Sequence, residues 1–228
     1  GGAGLFRTEL CFLSAQTEPS VAEQARIYGE VFNAFPGKKV VVRTLDAGSD
    51  KPVPFAKHEV EENPALGVRG IRLQHTNEGL IERQLDAIAQ AAEDNEVEHP
   101  WVMAPMVATV DEARAFAALC KERNLKPGIM VEVPAVALLA DEFLAEVEFF
   151  SIGTNDLTQY AMAADRMSSP LANLTDPWQP AVLRLIKMTA AAGQRAGKPV
   201  GVCGEAAADP LLACILIGIG VTSLSMAS

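Results

Sequence analysis

Residues 147–160 read VEFFSIGTNDLTQY, an apolar run that stops at a glycine followed by Thr, Asn and Asp. The run Val147–Ile152 is β-branched and aromatic, and it is short and bounded, so it predicts a strand covered on both faces. Six more runs of this kind occur along the chain. They predict further strands over Ala3–Phe6, Val40–Leu45, Trp101–Met106, Gly128–Val133, Val200–Cys203 and Val221–Met226.

Amphipathic segments separate these runs. Ser20 and Glu23 form a capping-box pattern before a helix with Ile27, Val31 and Phe35 at four-residue spacing. Three more helices are predicted: one capped by Thr109 and Glu112, one over Leu80–Ala92 and one over Pro180–Ala196. Such alternation indicates either a parallel barrel or an open doubly wound sheet. The first strand is not followed by GxGxxG, which favours the barrel.

The bulk properties narrow the class of protein. The length of 228 residues suits one large domain over 1–228, and 49% hydrophobic but only 6% aromatic residues favour an α/β core. A net charge of −10 argues against nucleic acid as a partner, and the sequence has no apolar run long enough to cross a membrane. The scattered cysteines indicate free thiols in a reducing cytoplasm, three of them as core residues: Cys11, Cys120 and Cys214.

Polar residues collect at the carboxyl ends of the predicted strands. Arg7 follows the first strand, and Arg43 and Glu132 lie inside later ones. Asn155, Asp156 and Cys203 also lie at strand ends. In a barrel these ends share one rim, where barrel active sites are built. A long irregular stretch, residues 46–71, also predicts a functional loop.

The residue types at this rim indicate one kind of ligand. Guanidinium groups suit phosphate and carboxylate oxygens, and the candidates are Arg7, Arg43, Arg69 and Arg166. Glu132 and Asp156 are the pair of carboxylates with which proteins commonly hold Mg²⁺ beside substrate and water. The residues alone leave other interpretations open: Arg69 and Arg166 as solvated loop residues, Asp156 as a helix N-cap, and Cys203 as a core residue.

Eight sequence strings occur in this order along the chain: GLFRTE, VVRTLDAGSDKP, ENPALGVRGIR, GIMVEVP, FFSIGTNDLTQY, AADR, QPAVLRLI and GVCGEAAADP. Through them the chain resembles enzyme I of the bacterial phosphoenolpyruvate:sugar phosphotransferase system, from its first residues to its last. The resemblance implies a TIM-type (β/α)8 barrel that lacks its first strand and last helix in this chain. Pyruvate phosphate dikinase and phosphoenolpyruvate synthase share looser forms of the strings, so they remain alternatives, as does a non-catalytic dimerisation or sensing module.

The resemblance also implies roles for the rim residues. Phosphate would be held by Arg7, Arg43, Arg69 and Arg166, with a hydrogen bond from Asn155. Glu132 and Asp156 would ligate Mg²⁺, with Mn²⁺ as an alternative, and Cys203 would protonate the enolate carbon as pyruvate forms. The reaction would pass a phosphoryl group from phosphoenolpyruvate to a protein histidine, the first step of sugar uptake.

In the family the accepting histidine lies on a separate N-terminal domain. None of the three histidines here, His58, His75 and His99, lies in the family's phosphohistidine motif. The chain alone is therefore expected to bind phosphoenolpyruvate without completing transfer. Its implied partners are that domain, the histidine-containing phosphocarrier protein and a second copy of the chain, in the cytoplasm.

Overall fold

A computed structural model describes residues 2–48 and 52–226 of the chain. The chain divides into two compact units, one of residues 1–106 with 116–127 and the other of residues 107–115 with 128–228. Seven strands occur in the described residues, as the sequence predicts.

The first unit contains three parallel strands, in the order β1, β2, β3. Helices α1 and α2 pack against each other in this unit. The elements are β1 (Ala3–Arg7), α1 (Val21–Ala34), β2 (Val40–Arg43), α2 (Leu80–Asp94) and β3 (Trp101–Ala104), with 3₁₀ turns at Thr8–Cys11, Pro64–Leu66 and Gly70–His75.

Two elements cross from one unit to the other, α3 (Val110–Lys121) and β4 (Lys126–Val131). In the second unit β4, β5, β6 and β7 pair in parallel and in chain order. Its remaining elements are α4 (Pro134–Leu138), α5 (Ala140–Glu146), β5 (Phe149–Gly153), α6 (Thr154–Met162), α7 (Pro180–Ala196), β6 (Val200–Cys203), α8 (Glu205–Ala208), α9 (Pro210–Gly218) and β7 (Ser223–Ser225), with a 3₁₀ turn at Ser169–Leu171.

The capping signals are confirmed at two helix starts. Ser20 Oγ accepts a hydrogen bond from Glu23 N, while the Glu23 carboxylate accepts one from Ser20 N. This hydrogen bonding to Ser20 also lowers the pKa of Glu23. Thr109 and Glu112 form the same reciprocal pair at the start of α3. The predicted helix over Pro180–Ala196 coincides with α7.

The predicted buried face of α1 is wrong. Phe35 lies beyond the last helical residue and is exposed, and the buried face instead includes Gln24, Tyr28 and Phe32. Tyr28 and Phe32 keep the four-residue spacing one position beyond Ile27 and Val31, whereas Gln24 is polar, so apolar spacing could not find it. The face is stable because Tyr28 donates to Gln24 Oε1 at 3.0 Å, which satisfies both buried groups.

Most strands end within about two residues of the predicted bounds, as is usual for strand ends. Glu132 was predicted inside a strand and instead follows β4 directly. Cys214 was predicted in the core and is exposed, because it lies on the outer side of α9, while Cys120 is fully buried. Across the described residues, α-helix and strand are absent between positions 46 and 71, and positions 49–51 of that loop lie outside the description.

Candidate active site

Arg7 and Arg43 are direct partners in the register of the parallel strands β1 and β2. Partnered residues of neighbouring parallel strands project from the same face of a sheet, so the two guanidinium groups share one face. Arg7 is exposed, whereas Arg43 is buried. The pairing of two cations on adjacent strand ends requires neighbouring anions, and the sequence around each strand end supplies them.

Asp46 joins Arg43 to Arg69. One of its oxygens, Oδ2, lies 3.2 Å from Arg43 Nη1 and 2.9 Å from Arg69 Nη2, and Oδ1 accepts from Arg69 Nε at 3.3 Å. Arg43 Nη2 also reaches Glu9 Oε1 at 2.5 Å. We call Glu9, Arg43, Asp46 and Arg69 the arginine cluster. Arg69 was considered as a solvated loop residue, but it is buried, because Asp46 offsets its charge.

Arg69 is presented by a loop that is fastened on both sides. Glu61 Oε1 accepts a hydrogen bond from Val68 N at 2.8 Å, and Arg72 donates to the carbonyl of Gly67 at 3.1 Å. Gly70 follows with φ of +58°, and a Cβ there would lie 2.9 Å from the carbonyl oxygen of Pro105. A side chain at position 70 would therefore push this loop away from Asp46.

Gln84 of α2 holds the end of β2 through side-chain hydrogen bonds. Its Oε1 accepts from Leu45 N at 2.8 Å, and its Nε2 donates to Thr8 Oγ1 at 3.0 Å and to Tyr28 OH at 3.1 Å. Thr8 Oγ1 in turn donates to the carbonyl of Arg43 at 2.9 Å. Burial raises the pKa of Tyr28, so the hydroxyl stays protonated as a donor. The network holds the backbone at Arg43 and directly after it.

In the second unit, Gly153 makes room for Glu132. A Cβ at position 153 would lie 2.8 Å from both Cγ and Oε1 of Glu132. Glu132 is 1% exposed, in agreement with its interruption of an apolar run. The close approach explains why the strand ends in glycine, and it sets a buried carboxylate at the end of β5.

Helix α6 begins directly after Gly153 and carries the next polar residues. Asp156, in its first turn, is buried, and its Oδ2 lies 3.9 Å from Arg166 Nη1. Gln159 holds the backbone of Arg166, because the Arg166 N–H donates to Gln159 Oε1 at 2.9 Å. Asp156 is not the N-cap of α6, a position that Gly153 occupies. The interpretation of Asp156 as a capping residue is therefore wrong.

Asn155 ties the end of β5 to the end of β6. Its Oδ1 accepts from Glu205 N at 3.3 Å, so its amide retains donor hydrogens. Beside it, Thr154 Oγ1 donates to the carbonyl of Cys203 at 3.1 Å. Gly204 has φ of +97°, and a Cβ there would lie within 3.0 Å of both Thr154 and Asn155. The two strand ends are thus fastened together around Cys203.

Cys203 itself is 3% exposed and lies opposite Gly153 in the register of β5 and β6. Its sulfur accepts a hydrogen bond from Ser151 Oγ at 3.6 Å and lies 3.5 Å from the carbonyl oxygen of Ile152. A thiol with a donor on one side and an acceptor on the other has a defined orientation. The sequence analysis passed over Ser151, although a lone serine within the apolar run FFSIG was a usable signal.

The acidic residues suit a metal ion that arrives with its substrate. Glu132 and Asp156 supply carboxylate oxygens, and Mg²⁺ is commonly held by one or two carboxylates with substrate oxygens and water. Within residues 2–48 and 52–226, no group of three or more His, Cys, Asp or Glu side chains is arranged to hold a metal. A pair of carboxylates is a donor set that fits Mg²⁺ held together with substrate oxygens and water.

The chain matches known proteins along its whole length. The family model described as PEP-utilising enzyme, PEP-binding domain, covers residues 1–228. A phosphoenolpyruvate-protein phosphotransferase of Streptomyces coelicolor is 54% identical over 99% of this chain and 41% of its own length. A phosphoenolpyruvate-protein phosphotransferase of Haloferax volcanii is 45% identical over 100% of this chain and 42% of its own length. A multiphosphoryl transfer protein of Rhodobacter capsulatus is 43% identical over 99% of this chain and 28% of its own length. The chain thus spans well under half of these relatives.

Solved structures with similar folds are distant in sequence. Malate synthase of Haloferax volcanii in a magnesium and glyoxylate complex has a TM-score of 0.58 at 15% identity, over 91% of this chain and 56% of its own. An HpcH/HpaI aldolase/citrate lyase family protein of Burkholderia cenocepacia has a TM-score of 0.53 at 17% identity, over 89% of this chain and 74% of its own. The predicted class, a TIM-type α/β fold, is confirmed. Its extent as one barrel domain over 1–228 stays a prediction. The chain belongs to the PEP-utilising enzymes and matches their PEP-binding domain from residue 1 to residue 228.

Proposed function

We propose that the chain binds phosphoenolpyruvate with Mg²⁺ and is the part of a phosphoenolpyruvate-protein phosphotransferase from which the phosphoryl group leaves. The observation that carries the proposal is the match to the PEP-binding domain over the whole chain. The names of the relatives support a phosphotransferase over a pyruvate phosphate dikinase or a phosphoenolpyruvate synthase.

The arginines would hold the anionic substrate. Arg43 and Arg69 are oriented by Asp46, and the planar fork of a guanidinium suits two oxygens of one phosphate. Arg7 would add a third guanidinium group, because it is the register partner of Arg43. Arg166 and the Asn155 amide would add donors. Phosphoryl transfer depends mainly on such positioning and charge neutralisation.

Glu132 and Asp156 would hold Mg²⁺, or Mn²⁺ in its place. When bound, the ion supplies charge neutralisation for the phosphate and carboxylate oxygens of the substrate. Both carboxylates are buried, and Gly153 leaves the space that Glu132 needs. Arg166, whose Nη1 lies 3.9 Å from Asp156 Oδ2, would help to orient that carboxylate.

Cys203 would complete the chemistry after the phosphoryl group has left. The enolate of pyruvate needs a proton on its C3 carbon, and the thiol would donate it as a general acid. The phosphoryl group would pass to a histidine on another domain of the parent polypeptide and then to the histidine-containing phosphocarrier protein. We place this function in the cytoplasm, with the chain as a homodimer. In the described residues, no helix is both long and apolar enough to span a bilayer.

A chimera tests the transfer activity. This chain would replace the matching region of the Streptomyces coelicolor relative, and phosphoenolpyruvate-dependent phosphorylation and pyruvate release would be measured. The proposal expects both products in equal amounts. A folded chimera that binds phosphoenolpyruvate and transfers nothing, while the relative itself transfers, would count against a catalytic role.

A further inference from the structure

Ser151 is a buried hydroxyl within an otherwise apolar strand. It is 6% exposed, in the middle of β5, between Phe150 and Ile152. Burying a hydroxyl costs free energy unless it is hydrogen-bonded, and alanine would fill almost the same volume. The Ser151 hydroxyl donates to Cys203 Sγ at 3.6 Å. A sulfur is a weak acceptor, so this serine is a poor choice for stability alone.

The register of the sheet places the two side chains together. Gly153 is the partner of Cys203, and Ser151 lies two residues before Gly153, so Ser151 and Cys203 project from the same face. Ser151 is also the register partner of Gly201, which has no side chain to separate the hydroxyl from the sulfur.

The sulfur is held from two sides. It accepts from the Ser151 hydroxyl and lies 3.5 Å from the Ile152 carbonyl oxygen, to which the thiol donates. The backbone of Cys203 is fixed as well, because its carbonyl accepts from Thr154 Oγ1. The bond from Ser151 bears on the charge of the sulfur, because an O–H donor stabilises a thiolate more than a thiol.

We propose that Ser151 is a positioning residue for Cys203, an inference that rests on the proposed function. When the thiol protonates C3 of the pyruvate enolate, the S–H bond breaks and a C–H bond forms. The S–H electron pair stays on sulfur, and the Ser151 hydroxyl meets the new negative charge without moving. In the reverse direction the thiolate removes a C3 proton from pyruvate and exchanges it with water.

This reverse step gives a direct assay on the chain itself. Pyruvate and Mg²⁺ are incubated with the 228-residue chain in D₂O, and loss of the methyl proton signal is followed by NMR. The variants are Ser151→Ala, Ser151→Thr and Cys203→Ala. Ser225→Ala is the matched control, because Ser225 is the register partner of Cys203 on the other neighbouring strand. Phosphoenolpyruvate affinity is measured for every variant.

We expect Ser151→Ala to slow deuteration at least about 10-fold, Cys203→Ala to slow it about 100-fold or more, and Ser225→Ala to keep the rate within about twofold. Ser151→Thr keeps the hydroxyl and should restore most of the rate. Phosphoenolpyruvate affinity should stay within about twofold of wild type in Ser151→Ala, which a merely structural role would not predict.

The outcomes separate the two proposals. If Ser151→Ala exchanges the pyruvate protons at the wild-type rate while Cys203→Ala exchanges them slowly, the role of Ser151 is overturned and the proposed function stays intact. Exchange by Cys203→Ala at the wild-type rate, or exchange by wild type no faster than in buffer, refutes the acid role of Cys203 and with it the role of Ser151, whereas the measured phosphoenolpyruvate affinity tests the proposed binding function separately. If Ser151→Ala does not fold, Ser151→Cys replaces it, and an unchanged rate in that variant is equally contradictory.

Discussion

Arg7 and Arg43 face the same side of the sheet as register partners at the ends of β1 and β2, one exposed and one buried. The buried member is held by Glu9 and Asp46, while the exposed one faces solvent, where we propose that it meets the anionic substrate. A phosphate bound beside these two arginines would be stabilised by both guanidinium groups. This arrangement is the clearest sign in the first unit of a site built for a ligand.

Asp46→Asn should destabilise the protein. The change removes the charge that bridges Arg43 and Arg69 and leaves two buried guanidinium groups under-compensated, at a cost of about 3 kcal/mol. Urea unfolding measures the loss. The control is Glu30→Gln, which breaks the exposed pair with Arg26 and should change stability by less than about 0.5 kcal/mol. Equal effects of the two substitutions would show that the arginine cluster is not a compensated buried network.

Gly153→Ala should disturb Glu132 without straining the backbone. The φ of Gly153 is −90°, which alanine adopts freely, but the new Cβ would lie 2.8 Å from Glu132. We expect a loss of about 1–3 kcal/mol in the free energy of unfolding, together with weaker Mg²⁺-dependent ligand binding. Gly218→Ala, with no heavy atom within 4 Å of its new Cβ, is the control and should be neutral. Neutral behaviour of both variants would remove Gly153 from the account of the site.

Stability should decline in alkaline solution as Cys120 ionises. Burial raises the pKa of the Cys120 thiol from about 9 to about 12. The folded state therefore retains this proton after the unfolded chain has lost it, and the stabilisation is complete below pH 9 and is lost between pH 9 and about 12. The slope contributed by one such group approaches about 1.4 kcal/mol per pH unit.

Cys120→Ala should make this alkaline decline shallower, as measured by urea unfolding from pH 7 to pH 10.5. The small cavity in the variant shifts the whole curve but not its slope. The exposed Cys214 supplies the control for loss of a thiol, since Cys214→Ala removes a side chain that lies outside the core. Identical slopes in wild type and Cys120→Ala would contradict the burial of this thiol.

Metal affinity should depend on the substrate. Two carboxylates without a third ligand bind Mg²⁺ weakly, so titration of Mn²⁺ into the chain should give a dissociation constant in the millimolar range. Adding phosphoenolpyruvate should tighten it by about 10-fold or more, because ligand and ion share oxygens. Glu132→Gln should abolish the coupling, and Glu148→Gln, on a half-buried carboxylate just before β5, should preserve it. Tight Mn²⁺ binding without phosphoenolpyruvate would contradict this description of the metal site.

The sequence predicted the strands and the polar residues at their ends well, because short apolar runs and interrupting charges are local signals. Glu132 and Arg43 stood out because a charge inside an apolar run needs a partner. The partners were harder to predict. Gln84 contacts Thr8 and Leu45 across separations that no local pattern encodes. Arg69 was judged by its loop position, and its burial follows from Asp46, which tertiary folding brings to it.

Calorimetric titration of phosphoenolpyruvate into the 228-residue chain, with Mg²⁺ and then with a chelator, tests the central claim most directly. We predict one binding site in the presence of Mg²⁺, weakened about 10-fold or more by the chelator and by Arg69→Ala. A folded chain that binds no phosphoenolpyruvate, or binds it equally without the metal and without Arg69, would contradict the account.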